Sequence, residues 1–118
     1  MKRFGVTIAP EARSDLFTLY EWIAIAAGDR RASAFLQRLK KFSLSLGDMP
    51  FRGTDRGDIR QGMRVLGFEG RISMVFMILN DNVTILRFFG FGRNWEVDFE
   101  QDDTNQEDKN SLGKKSSF

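Results

Sequence analysis

Apolar residues alternate with polar ones from Arg3 to Ala9, with Phe4, Val6 and Ile8 on one side, and this period of two predicts a strand. Pro10 follows where a first helical residue is favoured, with Glu11 and Asp15 near the positive helix start. Ala12, Leu16, Leu19, Ile23 and Ala26 then recur at steps of four and three, a single stripe on a helix running to about Ala27, with Gly28 as a left-handed cap. Asp29 is placed to cap a second helix, whose stripe Ala32, Phe35, Leu39, Phe42 and Leu46 closes at Gly47. Two such stripes joined by so short a connection predict an antiparallel helical hairpin. Residues 48–62 carry Pro50, Gly53, Gly57 and Gly62 and read as a long loop, the kind that often carries function in a small domain. Strands are predicted over Met63 to Phe68, Arg71 to Leu79 and Val83 to Phe91, divided by turns at Glu69-Gly70 and Asn80-Asp81-Asn82. The plan is βααβββ: an α+β domain in which an N-terminal strand and a helical hairpin pack on a small, mainly antiparallel sheet.

The middle meander strand is apolar on both sides. Ile72, Met74, Phe76 and Ile78 point one way and Val75, Met77 and Leu79 the other. Simple alternation in the last strand opposes Leu86 and Phe88 to Val83, Ile85 and Phe89, while Phe91 and Trp95 extend the apolar surface. A sheet with one free side should alternate apolar with polar residues. One helical hairpin covers one face, so either the last segment folds back over the second or another protein covers it.

Composition narrows the chemistry. The 118 residues contain neither cysteine nor histidine, which excludes disulfides, Cys/His zinc sites, a Cys nucleophile and a His-based triad. No stretch approaches the roughly 20 apolar residues of a membrane-spanning helix, and Met1-Lys2-Arg3 leads into no signal-peptide core, so a soluble, cytoplasmic protein without membrane association is expected. The net charge of +2 is unevenly spread: Glu96 to Asp108 holds seven acidic residues and no basic one, leaving 15 basic against 9 acidic in residues 1–95. The polar end cannot offset its own ordering entropy by burial, so a folded domain over 1–96 and a disordered acidic tail over 97–118 are expected. A basic body fits an acidic partner.

Every basic residue from 42 to 95 is arginine: Arg52, Arg56, Arg60, Arg64, Arg71, Arg87 and Arg93. This preference points to planar, bidentate recognition of carboxylate or phosphate. Arg64 and Arg87 lie within apolar strands, where an unpaired charge is costly, and internal pairing with Asp55, Asp58, Glu69 or Glu96 is the structural alternative. Arg30, Arg31, Arg38, Lys40 and Lys41 read as the solvated face of the second helix.

The order of elements, together with Ala12-x-x-Asp15-Leu16, Ala34-Phe35-Leu36, Met49-Pro50, Gly53, Gly62-Met63-Arg64 and Ile85-Leu86-Arg87-Phe88-Phe89-Gly90-x-Gly92-Arg93, resembles the ParE branch of the RelE/ParE toxins over residues 4 to about 96. The resemblance implies the toxin of a type II toxin–antitoxin pair, neutralised by a ParD-like antitoxin, and supplies a partner for the doubly apolar sheet. ParE-like members, by resemblance, bind DNA gyrase and block replication, which needs complementary shape and charge but no catalytic group. RelE-like members cut mRNA on the ribosome, which requires proton transfer as well as charge stabilisation.

Between Arg52 and Trp95 there is no histidine, lysine or tyrosine. Arginine is effectively never deprotonated near neutral pH, so only carboxylates such as Asp55, Asp58 or Glu96 remain for proton transfer. No catalytic residue, metal site or small-molecule cofactor is therefore assigned, and Tyr20 reads as a packing residue. The gyrase-directed inhibitor is the first reading, the ribosome-dependent endoribonuclease the second, and a non-toxic, antitoxin-binding relative the third. Side-chain chemistry nominates Arg64, Arg71, Arg87, Arg93 and Trp95 as the target-binding surface and Val75, Met77, Leu79, Phe88 and Phe89 as antitoxin contacts. Relatives finish near residue 96, and the additional acidic stretch suggests a segment that folds onto the arginines and imitates an antitoxin.

Overall fold

The computed structural model describes residues 3–90 and 93–100. Phe91, Gly92 and the acidic stretch from 101 onward lie outside the described residues. The elements are β1 (Gly5–Ile8), α1 (Pro10–Ala27), α2 (Asp29–Leu44), β2 (Thr54–Asp55), β3 (Met63–Phe68), β4 (Ile72–Leu79) and β5 (Asn82–Gly90). Ser45–Gly47 forms a 3-10 turn at the end of α2. The five strands line up as β1-β5-β4-β3-β2, antiparallel except where β1 runs parallel to β5. This is the α+β plan expected, with a two-residue edge strand inside the long loop. No helix among the described residues is long and apolar enough to cross a membrane.

Local chemistry sets the boundaries. Both meander turns place two residues at positive φ: Glu69 and Gly70 in the three-residue connection between Phe68 and Ile72, and Asn80 and Asp81 in the two-residue hairpin between Leu79 and Asn82. Gly28 has φ 95° and ψ 161°, a conformation open to glycine but outside the left-handed helical well, and its N–H donates to the Ala24 carbonyl. It also occupies the N-cap position of α2. Asp29 is thus the first residue of that helix and makes no side-chain cap bond; its carboxylate accepts from the Tyr20 hydroxyl at 3.3 Å.

The hairpin stripes pack on one sheet face as read from their spacing. Ala12, Leu19, Phe35, Leu39 and Leu46 bury against Ile72, Met74, Phe76, Val83 and Ile85. Phe35 and Phe42 of α2 meet Phe68 of β3 with ring centroids 5.7 and 4.9 Å apart. Above them Arg38 grips Glu69 at the β3–β4 turn with two hydrogen bonds of 2.9 and 3.1 Å.

This pair is solvent-exposed, so its contribution is small and falls further with salt. Glu69 is held below the ordinary glutamate range chiefly by the Arg38 hydrogen bonds. A carboxylate depressed on folding adds stability above its unfolded pKa of about 4.3 and loses it as pH falls through the lower folded value. The Glu69 carboxyl in Arg38→Ala should therefore titrate closer to that ordinary value by NMR; an unchanged midpoint would assign the depression to another group.

Candidate functional site

The second face of the sheet is also buried, and by the chain itself. Met63, Val75 and Phe89 pack with Phe99, and Ile59, Val65, Met77, Leu86 and Trp95 flank them. Residues 95–100 are helical. Asn94 starts them as an N-cap, its side-chain oxygen accepting from the N–H groups of Glu96 (3.1 Å) and Val97 (3.4 Å). Trp95 and Phe99, four residues apart, lie on one side of this helical segment and turn together toward the sheet. Phe99 is 7% exposed, a burial that favours the covered arrangement by about 1.5–3 kcal/mol.

Of the two ways to cover a doubly apolar meander, the structure therefore shows the last segment folding back. The boundary expected at 96 falls inside that helical segment, and residues 97–100 belong with the folded body instead of a disordered tail.

A bulge decides which strand residues reach this face. In the β4–β5 ladder Val75 pairs with Arg87 but Phe76 with Ile85, leaving Leu86 as the extra residue. The alternation expected for β5 therefore changes phase: Val83, Ile85 and Phe88 share the helix-covered core, while Leu86 and Phe89 belong to the second face. Phe88, nominated as an antitoxin contact, is 2% exposed in the helix-facing core and is withdrawn from that group. Val75 and Phe89 lie on the second face but are fully buried there, Met77 is half-buried, and Leu79 is 63% exposed.

Arginines layer over the aromatic rings of this face. Arg56 lies 5.0 Å from the Trp95 ring centroid, Arg60 5.4 Å from Phe99, and Arg87 and Arg93 lie 4.7 and 5.4 Å from Phe89. A guanidinium over a ring gains a cation–π attraction that helps hold it in place. Carboxylates interleave: Arg56 holds Asp58 at 2.9 Å and Glu96 at 3.2 Å, and Arg93 holds Asp98 at 2.8 Å. Arg56 pulls Asp58 below the ordinary aspartate range by direct hydrogen bonding, so that group is ionised near neutral pH and unsuited to protonating a leaving oxygen.

Among the nominated target-binding residues, Arg87, Arg93 and Trp95 come together here. Arg64 is engaged elsewhere: its guanidinium donates to the carbonyls of Arg52 (3.0 Å), Gly53 (3.2 Å) and Phe51 (3.3 Å), with Asp55 at 3.8 Å. Arg71 is exposed at the start of β4, its charge acting on Glu69. Arg87 also pairs with Asp15 of α1, a partner 72 residues away that sequence proximity does not reveal. The sequence reading omits Phe99 as well, although the Asn94 cap and the Trp95/Phe99 spacing were signals for a helical turn with one apolar side.

An open cavity of about 420 Å³ adjoins the face between α1 and the end of β5, bordered by Thr18, Leu19, Trp22, Arg87 and Arg93. Trp22 is 59% exposed there. Tyr20 lies between the helices, on a shallow apolar groove with Leu16, Phe17 and Leu36. No group of three His, Cys, Asp or Glu suited to a metal ion occurs among the described residues.

Comparison with known proteins gives a family and several chains of similar fold. Residues 6–95 match the family model described as the ParE toxin of the type II toxin–antitoxin system parDE. A chain of the chromosomal ParDE toxin–antitoxin system from P. aeruginosa is similar in structure, with a TM-score of 0.65 and 21% identity over 75% of this chain and 96% of that one. A chain of the toxin–antitoxin complex RelBE2 from Mycobacterium tuberculosis is similar with a TM-score of 0.58 and 20% identity, over 79% of this chain and 97% of that one. No curated protein matches the chain in sequence.

Proposed function

The chain belongs to the ParE toxin family of type II toxin–antitoxin systems, and on that premise we propose that it inhibits DNA gyrase, blocks replication, and is neutralised by a ParD-like antitoxin. The observation that carries the reading is the arginine and aromatic face, where Arg56, Arg60, Arg87 and Arg93 lie over Trp95, Phe99 and Phe89. A basic surface of this kind suits contacts to carboxylate or phosphate, the groups a gyrase–DNA complex offers in number.

Inhibition by complementarity asks for no proton transfer. Cleavage of mRNA does, and Asp58, a carboxylate beside these arginines, is poorly matched to donating a proton because Arg56 depresses it. The one tyrosine is bonded to Asp29 in the helical hairpin. Arg93 and Arg71, both exposed, are proposed as the residues that touch the target, and Arg87 and Trp95 as those that shape the face around them. Arg64 acts through the loop it holds. For the antitoxin, Met77 and Leu79 remain accessible at the sheet's rim, and an acidic segment that folds as it binds suits the basic body.

Inducing the full chain in cells without antitoxin separates the readings. A DNA-damage response with intact transcripts is expected. Rapid mRNA cleavage would replace the proposal with the endoribonuclease, and normal growth would leave only antitoxin binding. Arg93→Ala should weaken the arrest by about tenfold or more at unchanged expression, since each charge-assisted hydrogen bond lost from a contact is worth about 1.5–3 kcal/mol. Full arrest by that variant would remove Arg93 from the target surface.

A further inference from the structure

We infer that the outer side of α2 is a second binding surface, for the phosphate backbones of duplex DNA, across the sheet from the arginine and aromatic face. It does not depend on the gyrase reading, which leaves these residues unused.

The chain's carboxylates are not shared evenly among its cations. Arg56, Arg64, Arg87 and Arg93, on the strands and loops, each pair with an Asp at 2.7 to 3.8 Å. Arg3 lies 3.6 Å from Asp48, and Arg38 lies 2.9 Å from Glu69. By contrast, Arg30, Arg31, Lys40 and Lys41 are exposed and form no ion pair among the described residues. From Arg30 to Gly47 the sequence has no Asp or Glu. Asp29, the one carboxylate of α2, stands at its first position and accepts from Tyr20. The positive charge of the body is therefore least cancelled on this helix.

Packing fixes where these cations stand. Ala32, Phe35, Leu39 and Ser43 bury the inner stripe, so the helix is a firm mount for the residues on its other side. Arg30 and Lys41 return to within roughly 20° of the same side after about three turns, at an axial distance of about 16 Å. Ala34 and Gln37 fill the line between them without charge, and the short side chains of Ser33 and Ala34 let the helix approach a backbone closely. Arg31 follows Arg30 and Lys40 precedes Lys41, so cations gather at both ends of the line.

Two cation pairs about 16 Å apart on a rigid rod suit two rows of phosphate held at a fixed spacing. The backbones of B-form DNA flank a major groove roughly 12 Å wide, within reach of long side chains from either end of the line. A single strand or an unfolded acidic peptide has no fixed spacing to match, and A-form RNA has a narrow major groove. Lysine, absent from residues 42–95, appears here, where a row of phosphates calls for point charges more than planar forks.

The test is binding of the purified full chain to a short labelled DNA duplex of mixed sequence, followed by fluorescence anisotropy against salt. Phosphate contacts from these four cations predict that log affinity falls with log salt at a slope of about −3.6, roughly a hundredfold loss between about 50 and 200 mM. Lys40→Gln with Lys41→Gln should reduce that slope by about 1.8. Adding Arg30→Gln and Arg31→Gln should bring it near zero and weaken binding at the lower salt by about tenfold or more. Glutamine suits exposed helical positions about as well as lysine or arginine, so the fold should hold. Should the fourfold variant not fold, the slope of the Lys40/Lys41 variant decides alone. Absence of binding by the unmodified chain, or an unchanged slope in the Lys40/Lys41 variant, would overturn the inference. A loss that follows Arg93→Ala and spares both α2 variants would assign the binding to the sheet face and overturn it as well. Equal or tighter binding of duplex RNA, single-stranded DNA or polyglutamate would overturn the choice of partner. Growth arrest is not the readout, so failure of the toxin reading leaves the result standing.

Discussion

Asp15→Ala is expected to cost about 3–5 kcal/mol of folding stability, the range for removing one partner of a largely buried ion pair. Both side chains are mostly buried, at 13% exposure for Asp15 and 15% for Arg87. One carboxylate oxygen accepts from Arg87 Nε at 2.7 Å and from the Phe88 backbone N–H at 2.9 Å; the other accepts from Arg87 Nη2 at 2.9 Å. The second of these contacts explains the position. β1 pairs with β5 only as far as Ile8 opposite Ile85, and the Ala9 N–H bonds the Ile85 carbonyl. Beyond that point β5 has an open edge on the β1 side, and Asp15 supplies the acceptor that a neighbouring strand would have given.

The substitution thus strips an acceptor from a buried backbone donor and from the guanidinium under which Phe89 lies. Urea unfolding with an unchanged m-value measures it. Asp15→Asn, which keeps an acceptor for Phe88 but loses the charge, should fall between wild type and Asp15→Ala. Adding Arg87→Leu to Asp15→Ala should recover about 1 kcal/mol or more, since the buried guanidinium that Asp15 neutralised is then gone. A loss under about 1 kcal/mol for Asp15→Ala would mean that this pair does not hold the edge.

The same pair marks the border of what the sequence makes legible. Elements whose signal is local were readable: the α1 and α2 stripes, the two hairpin turns, and a β4 with apolar residues on both sides. Phe88 was misplaced because alternation assumes an unbroken ladder, and the one-residue bulge at Leu86 shifts its phase, which no period of two records. Asp15 reaches Arg87 across 72 residues, so the pairing exists only once α1 lies over the end of β5.

The cover at 94–100 was one of two alternatives for the second face, and its residues after 96 were assigned to a disordered tail for a compositional reason. Its Glu96, Asp98 and Glu100 make it look solvated, although Trp95 and Phe99 are spaced to share one side of a helix. Charge was the right clue to this segment and polarity the wrong conclusion, because its carboxylates face arginines.

Gly53→Ala is the other substitution with a large expected effect, about 2–5 kcal/mol, from the positive φ it forces on alanine and from the backbone it meets. Gly53 has φ 77°, and a Cβ there would overlap the Val65 carbonyl. The loop comes this close because β2 pairs through Thr54 with Val65 and through Asp55 with Arg64. Arg64 then reaches back to the carbonyls of Phe51, Arg52 and Gly53.

Glycine and arginine thus act together to press the start of the long loop onto β3, which sets where Arg56 and Arg60 emerge over Trp95 and Phe99. A lysine at 64 would offer one compact ammonium to three carbonyls that the planar fork spans, so Arg64→Lys should also be destabilised, by less. Gly57→Ala is the control: its φ is not positive and its nearest neighbour is the Asp55 side chain, so a change within about 1 kcal/mol is expected. If Gly53→Ala unfolds in urea like the control, the loop is not held against β3, and Arg64 returns to the set of arginines free to meet the target. If it is destabilised as expected and arrests growth less per folded molecule, the arginine face depends on a loop anchor that itself touches no partner.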